Sequence, residues 1–110
     1  MQLLNVGYSP IEKDLRRLRK RFKSLEEDLG NYFIIHRNTI LEFGQLSCMV
    51  HADANYIICK DRIAIKNPKT PPSSGCRLWF VIEKRSGRYI PCLLYAANEE
   101  DQYKKISAST

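Results

Sequence analysis

At 110 residues the chain predicts a single domain, long enough to bury roughly 65% of its unfolded surface in one core. Its 44% hydrophobic and 27% charged content is that of an ordinary folded protein. A net charge of +6 serves solubility or anionic partners, and its distribution points away from a small neutral substrate. Seven of the 18 Lys and Arg lie between Lys13 and Lys23, and eight between Lys60 and Arg88, where only Asp61 and Glu83 oppose them.

The first eight residues read as a short strand. They lack a cationic segment followed by a long apolar run, so no targeting segment is expected. Ser9-Pro10-Ile11-Glu12 then predicts a helix start, with Ser9 as cap, Pro10 in the first turn and Glu12 completing a capping box. Ile11, Leu15, Leu18 and Phe22 follow at steps of four, three and four and form one apolar face. Arg16, Lys20 and five other cations cover the rest. Ser24-Leu25-Glu26-Glu27 repeats the capping pattern and opens a second helix, whose inner face is Leu25, Leu29, Tyr32, Phe33, His36 and Ile40. Gly30-Asn31 is a weak point there. With almost no loop between them, the two helices fold back as an αα-hairpin.

The segment from Phe43 to Asn55 reads as a connection. From Tyr56 the pattern alternates: Ile57, Cys59, Asp61, Ile63 and Ile65 share one side of a strand, and Ile58, Lys60, Arg62, Ala64 and Lys66 the other. The polar stretch 67–75, ending in Gly75, is a loop by composition. Residues 76–82 are apolar on both faces, as in a central strand. Lys84-Arg85-Ser86-Gly87 is a hairpin turn, Tyr89 to Ala97 a further strand, and Asn98-Glu99-Glu100-Asp101 the start of a short helix through Ile106. The fold class is therefore α+β: an N-terminal strand, an antiparallel helical hairpin packed on a small antiparallel sheet, and a short C-terminal helix.

Cys48, Cys59, Cys76 and Cys92 form no Cys-x-x-Cys pair, so no metal site and no cofactor is expected. Most read as buried thiols in a reducing cytoplasm. His36 reads as a packed core histidine and His51 as a surface residue. Trp79 and Phe80 read as core. No segment approaches the ~20 apolar residues of a membrane span.

The order and spacing of several segments carry a family resemblance. These are Tyr8-Ser9-Pro10 leading into Lys13 to Leu18, Phe22 to Leu29, Lys60-Asp61-Arg62-Ile63-Ala64, Gly75-Cys76-Arg77-Leu78-Trp79-Phe80-Val81, and Tyr89 to Tyr95. Across nearly its whole length the chain resembles the RelE/ParE superfamily of bacterial toxins from type II toxin–antitoxin modules. The resemblance implies a RelE-like ribosome-dependent mRNA endonuclease, held in check by a cognate antitoxin protein. ParE-type members share the fold, bind DNA gyrase and cleave nothing.

Metal-independent RNA cleavage needs a base for the ribose 2′-hydroxyl, cations for the phosphoryl oxygens and an acid for the departing oxygen. On the RelE pattern these positions are Lys60, Arg62, Arg77 and Tyr103. Lys60 and Arg62 are two apart and project from one sheet face. Lys60 suits the base if neighbouring cations lower its pKa, the two arginines suit bidentate phosphate contacts, and Tyr103 suits stacking. Lys66, Lys69, Arg88, Arg16 and Lys20 are candidate RNA contacts, with the basic first helix equally open to solvent or to an acidic antitoxin segment. One departure stands out. RelE-like toxins commonly carry a cation just after the last strand, where this chain has Ala96-Ala97-Asn98 followed by Glu99, Glu100 and Asp101. A degenerate member that only binds antitoxin is therefore a third reading.

Overall fold

The computed structural model describes residues 8–43 and 48–102. The expected N-terminal strand, apart from Tyr8, therefore lies outside the described residues, as do Tyr103 and the stretch through Ile106. A 3-10 turn, Ser9–Ile11, leads into helix α1 (Glu12–Leu18), followed by α2 (Leu25–Phe43). Four strands come next: β1 (Met49–Ala52), β2 (Tyr56–Ile63), β3 (Cys76–Glu83) and β4 (Arg88–Ala96). They form one antiparallel sheet in the order β1-β2-β3-β4. A second 3-10 turn, Ala97–Glu99, continues into helix at 100–102. This is the expected α+β arrangement, a helical pair on an antiparallel sheet with a short terminal helix.

Both helix starts differ in detail from the capping-box expectation. The N-cap of α1 is Ile11, with no side-chain cap bond, because Pro10 sits in the 3-10 turn, where its missing N–H costs nothing. At α2, Ser24 Oγ donates to Asp28 Oδ2 (2.6 Å) and accepts from the Asn67 N–H (2.8 Å). Asp28 Oδ2 also accepts from the Lys66 N–H (3.0 Å). The polar start of α2 thus secures the loop after β2 as well as closing on its own first turn. The helix runs through Gly30-Asn31 without a break.

The apolar face anticipated for the first helix is the one buried: Ile11, Leu15, Leu18 and Phe22 enter the core, although α1 itself ends at Leu18. Leu25, Leu29, Phe33 and His36 join from α2, while the Ile40 side chain lies outside what is described. The sheet contributes Cys59, Ile63, Cys76, Leu78, Phe80, Ile82, Tyr89, Leu94 and Ala96 to the same cluster. Phe33 is its hub, making edge contacts with Tyr8, Tyr32, Phe80 and Tyr89 at 5.4 to 6.3 Å. Such aromatic pairs add stability beyond their buried area, about 0.5–1.5 kcal/mol each.

Three expectations are corrected. The segment from Phe43 to Asn55 contains strand β1, which pairs with β2. All four of its residues are exposed, so it has no apolar alternation to reveal it and is held by backbone bonds. Trp79 is not in the helix-side core: it is half-buried on the other sheet face, and only Phe80 is core. Cys92 is exposed, because Trp79 pairs with Leu93 and Phe80 with Pro91. Cys92 is the extra residue of a β-bulge.

Candidate anion-binding site

The alternation of β2 and β3 sorts core from site. Cys59 and Ile63 turn toward the helices; Lys60 and Arg62 turn to the opposite face, as Arg77 and Trp79 do from β3. The register puts Arg62 opposite Arg77, Arg77 opposite Tyr95, and Lys60 opposite Trp79. Directly opposed residues have Cβ atoms about 4.5–5.5 Å apart. Three sequence-nominated cations therefore converge, and a cavity of about 360 Å³ is lined by Lys60, Arg62 and Arg77 with Cys48, Asp61 and Glu100.

The three cations are not equivalent. Arg77 donates from Nη1 to the Pro72 carbonyl (2.9 Å) and from Nη2 to the Ser73 carbonyl (3.0 Å). It fastens the 67–75 loop, which also closes on itself through the Ile65–Thr70 bridge. The loop between the strands is therefore pinned at two places. Gly75 permits its return, since a Cβ there would strike the Ile63 carbonyl oxygen. Arg62 is exposed, and among the described residues its guanidinium has no hydrogen bond or ion pair.

Lys60 is engaged. Its Nζ lies 2.7 Å from Glu100 Oε1 and 5.4 Å from the centre of the Trp79 ring. Burial pulls the Lys60 pKa down, but hydrogen bonds to Glu100 and Tyr95 outweigh it, so the pKa stands above the ordinary lysine value. The condition set for a lysine base, a lowered pKa, is not met, because a carboxylate rather than another cation is its nearest neighbour. Burial pushes the Glu100 carboxyl up, yet its bonds to Lys60 and Tyr95 hold it below the usual carboxylate range. Tyr95 is buried; burial and its bond to Glu100 raise its pKa, and its hydroxyl accepts from Trp79 Nε1 at 3.3 Å. It remains a neutral phenol.

The acidic run after β4 thus supplies partners. Glu99 bonds Arg17 of α1 (2.6 Å) and accepts from the Ala96 N–H (2.9 Å), while Arg21 donates to Asn98 (2.8 Å). Together with the Lys60–Glu100 pair, these fasten the C-terminal turn across the end of the sheet, over Tyr95.

The remaining nominated cations are elsewhere. Lys66 and Lys69 border a separate hollow with Asp28, Ala64 and Pro71, and Lys66 approaches Glu27 at 3.6 Å. Arg88 pairs with Glu83 at the far end of the sheet, about 20 Å from Arg77 by strand rise. Arg16 and Lys20 line a shallow hollow on the helical side with Arg17 and Arg19. His36 is buried and His51 exposed, as anticipated.

Sequence reasoning missed Glu100, Tyr95, Asp61 and Cys48. The signal for Glu100 was present: an acidic run at the chain position where the resemblance leads one to look for a cation. Cys48 carried none, lying in the segment read as a connection. Among the described residues no group of three or more His, Cys, Asp or Glu side chains is placed to hold a metal ion, and no helix is long and apolar enough to cross a membrane. The chain matches no protein-family model, no curated protein and no solved structure.

Proposed function

We propose that this chain is a RelE-like toxin that cleaves mRNA in the ribosome of its cytoplasm, with an antitoxin as its cognate partner. The observation that carries the reading is the exposed Arg62 guanidinium, unengaged among the described residues, facing Arg77 across the strands beside Lys60 on the rim of one cavity. Like charges directly opposite each other destabilise a sheet, so an anion between them is favoured. A phosphodiester fits bidentate guanidinium donors.

In this reading Arg62 binds the scissile phosphate and Lys60 stabilises charge developing on its oxygens as the 2′-hydroxyl attacks. Glu100, released from Lys60 by the incoming phosphate, accepts the hydroxyl proton as the 2′-oxygen bonds to phosphorus; the bond from phosphorus to the 5′-oxygen breaks, that oxygen takes a proton from water, and a 2′,3′-cyclic phosphate is left. A carboxylate held below its usual range is a weak base, so positioning and electrostatics carry most of the rate enhancement. Arg77 acts by fixing the loop that borders the cavity.

The Lys60–Glu100 pair also favours a second reading, a non-cleaving member that binds an antitoxin or gyrase, because the ammonium already has its anion. Ribosomes programmed with a defined mRNA, incubated with purified protein and analysed by primer extension, separate the two. Discrete cleavage lost in Arg62→Ala supports the nuclease. Intact transcripts with wild-type protein remove it, and DNA-damage signalling on induction then selects the gyrase reading.

A further inference from the structure

The Cys48 side chain sits where three elements meet. It lies just ahead of β1, one position before the residue paired with Cys59 of β2, and its sulfur stands 3.1 Å from His36 Nε2 of α2. The Tyr32 hydroxyl is 4.0 Å away and spends its stronger bond, 2.7 Å, on Asp61. His36 is only 7% exposed, and its Nδ1 has no partner among the described residues. Tyr32 stacks on its ring at 5.3 Å, and Phe80 and Tyr89 meet it edge-on at 5.1 and 5.9 Å. A buried imidazole with one ring nitrogen unsatisfied is costly. Its one polar contact given by the structure is the Cys48 sulfur. Cys48 is a half-buried residue and is among those lining the cavity shared with Lys60, Arg62 and Arg77, so a small solute in the cavity comes up against it.

We propose that Cys48 is a peroxide-reactive thiolate, that Cys59 is its resolving thiol, and that the two close a disulfide joining the start of β1 to β2. The backbones are already adjacent: Met49 stands opposite Cys59, and the Lys60 N–H donates to the Cys48 carbonyl at 3.0 Å. Cys48 is one residue off the Met49–Cys59 pair, so a strand spacing of about 4.8 Å and a rise of about 3.4 Å put its Cα about 6 Å from that of Cys59, within the range of about 4.4–6.8 Å that a disulfide spans. The neighbouring Cys59 lowers the Cys48 pKa most; burial opposes it and His36, in contact with the sulfur, reinforces it.

In the first step the Cys48 sulfur attacks one oxygen of a hydroperoxide. The S–O bond forms as the O–O bond breaks, and the other oxygen leaves as an alcohol (water, for hydrogen peroxide) carrying the proton that Cys48 gave up. Sulfur is oxidised by two electrons to a sulfenic acid and the peroxide is reduced by two. In the second step the Cys59 sulfur, losing its proton, attacks the Cys48 sulfur. The S–S bond forms, the S–O bond breaks, and hydroxide departs with that proton as water. His36 positions the thiolate by donating from Nε2.

The test uses the reduced full-length protein and hydrogen peroxide, followed by maleimide blocking and peptide mass mapping. The expected product is a Cys48–Cys59 disulfide formed before the exposed Cys92 is modified, and reversed by dithiothreitol. Without oxidant at neutral pH, maleimide should label Cys48 about tenfold faster than Cys92 despite its lower exposure. Cys59→Ala should trap Cys48 as a sulfenic acid captured by dimedone, and His36→Gln should slow Cys48 labelling. Prior oxidation of Cys92, or over-oxidation of wild-type Cys48 without linkage to Cys59, would overturn the proposal. If Cys59→Ala does not fold, the wild-type map decides alone. None of these readouts depends on RNA cleavage.

Discussion

Lys60 and Glu100, forty positions apart, form an ion pair of 2.7 Å at the mouth of the cationic cavity. The carboxylate occupies the place where a phosphate oxygen would meet the ammonium. Glu100→Gln removes that competitor. A partly exposed pair contributes about 0–1 kcal/mol, so affinity for a single-stranded ribo-oligonucleotide should rise by up to about fivefold, measured by fluorescence anisotropy at fixed salt. The gain should vanish when Lys60→Ala is added. An unchanged affinity in Glu100→Gln would show that Lys60 does not contact the nucleic acid.

Arg62 and Arg77 look alike in sequence, and the structure separates them. Arg62→Ala removes a side chain with no partner among the described residues and should leave stability within about 0.5 kcal/mol of wild type, while abolishing growth inhibition on induced expression. Arg77→Ala also frees the Pro72 and Ser73 carbonyls, and charged hydrogen bonds contribute about 1.5–3 kcal/mol. Its unfolding midpoint in urea should fall. Equal midpoints for the two variants would remove the loop-fastening role from Arg77.

That contrast marks the limit of what the residues alone disclosed. Strong periodicity made the core legible: Ile11, Leu15, Leu18 and Phe22 at helical spacing, and the alternation around Cys59 and Lys60, place the core contacts and the cationic face. The convergence of Lys60, Arg62 and Arg77 follows from pleat and register. Strand β1 was invisible because its register rests on main-chain bonds, which leave no trace in side-chain pattern. The roles of Glu99 and Glu100 needed the chain to turn back after β4, a tertiary relationship between Arg17, Lys60 and residues far along the sequence. Tyr103 lies outside the described residues, and buried Tyr95 is the phenol found beside Lys60.

Two glycines should respond in opposite directions. Gly30 is inside α2, and a Cβ there would meet nothing within 4 Å. Gly30→Ala should stabilise by about 0.5–1 kcal/mol, by restricting the unfolded chain and improving helix propensity. Gly75→Ala would drive a methyl into the Ile63 carbonyl oxygen and should cost about 1–3 kcal/mol or more. Thermal melts of the two variants beside wild type check both signs.

Acid should loosen the C-terminal turn first. Glu99 and Glu100 have pKa values below the ordinary 4.5 when folded, so between the folded and unfolded values the unfolded state binds more protons, and stability rises with pH. Their contribution is complete above the unfolded value and is lost as pH falls through the folded ones. Lys60 has the opposite sign. Its folded pKa is above 10.5, so its contribution is present below that value and is lost as pH rises through the folded one. Urea midpoints measured from pH 7 down to about pH 3 should decline less steeply in a Glu99→Gln, Glu100→Gln double variant than in wild type. Parallel declines would mean that the pairs to Arg17 and Lys60 do not hold in solution, and the C-terminal turn would then have no electrostatic hold on α1 or the sheet.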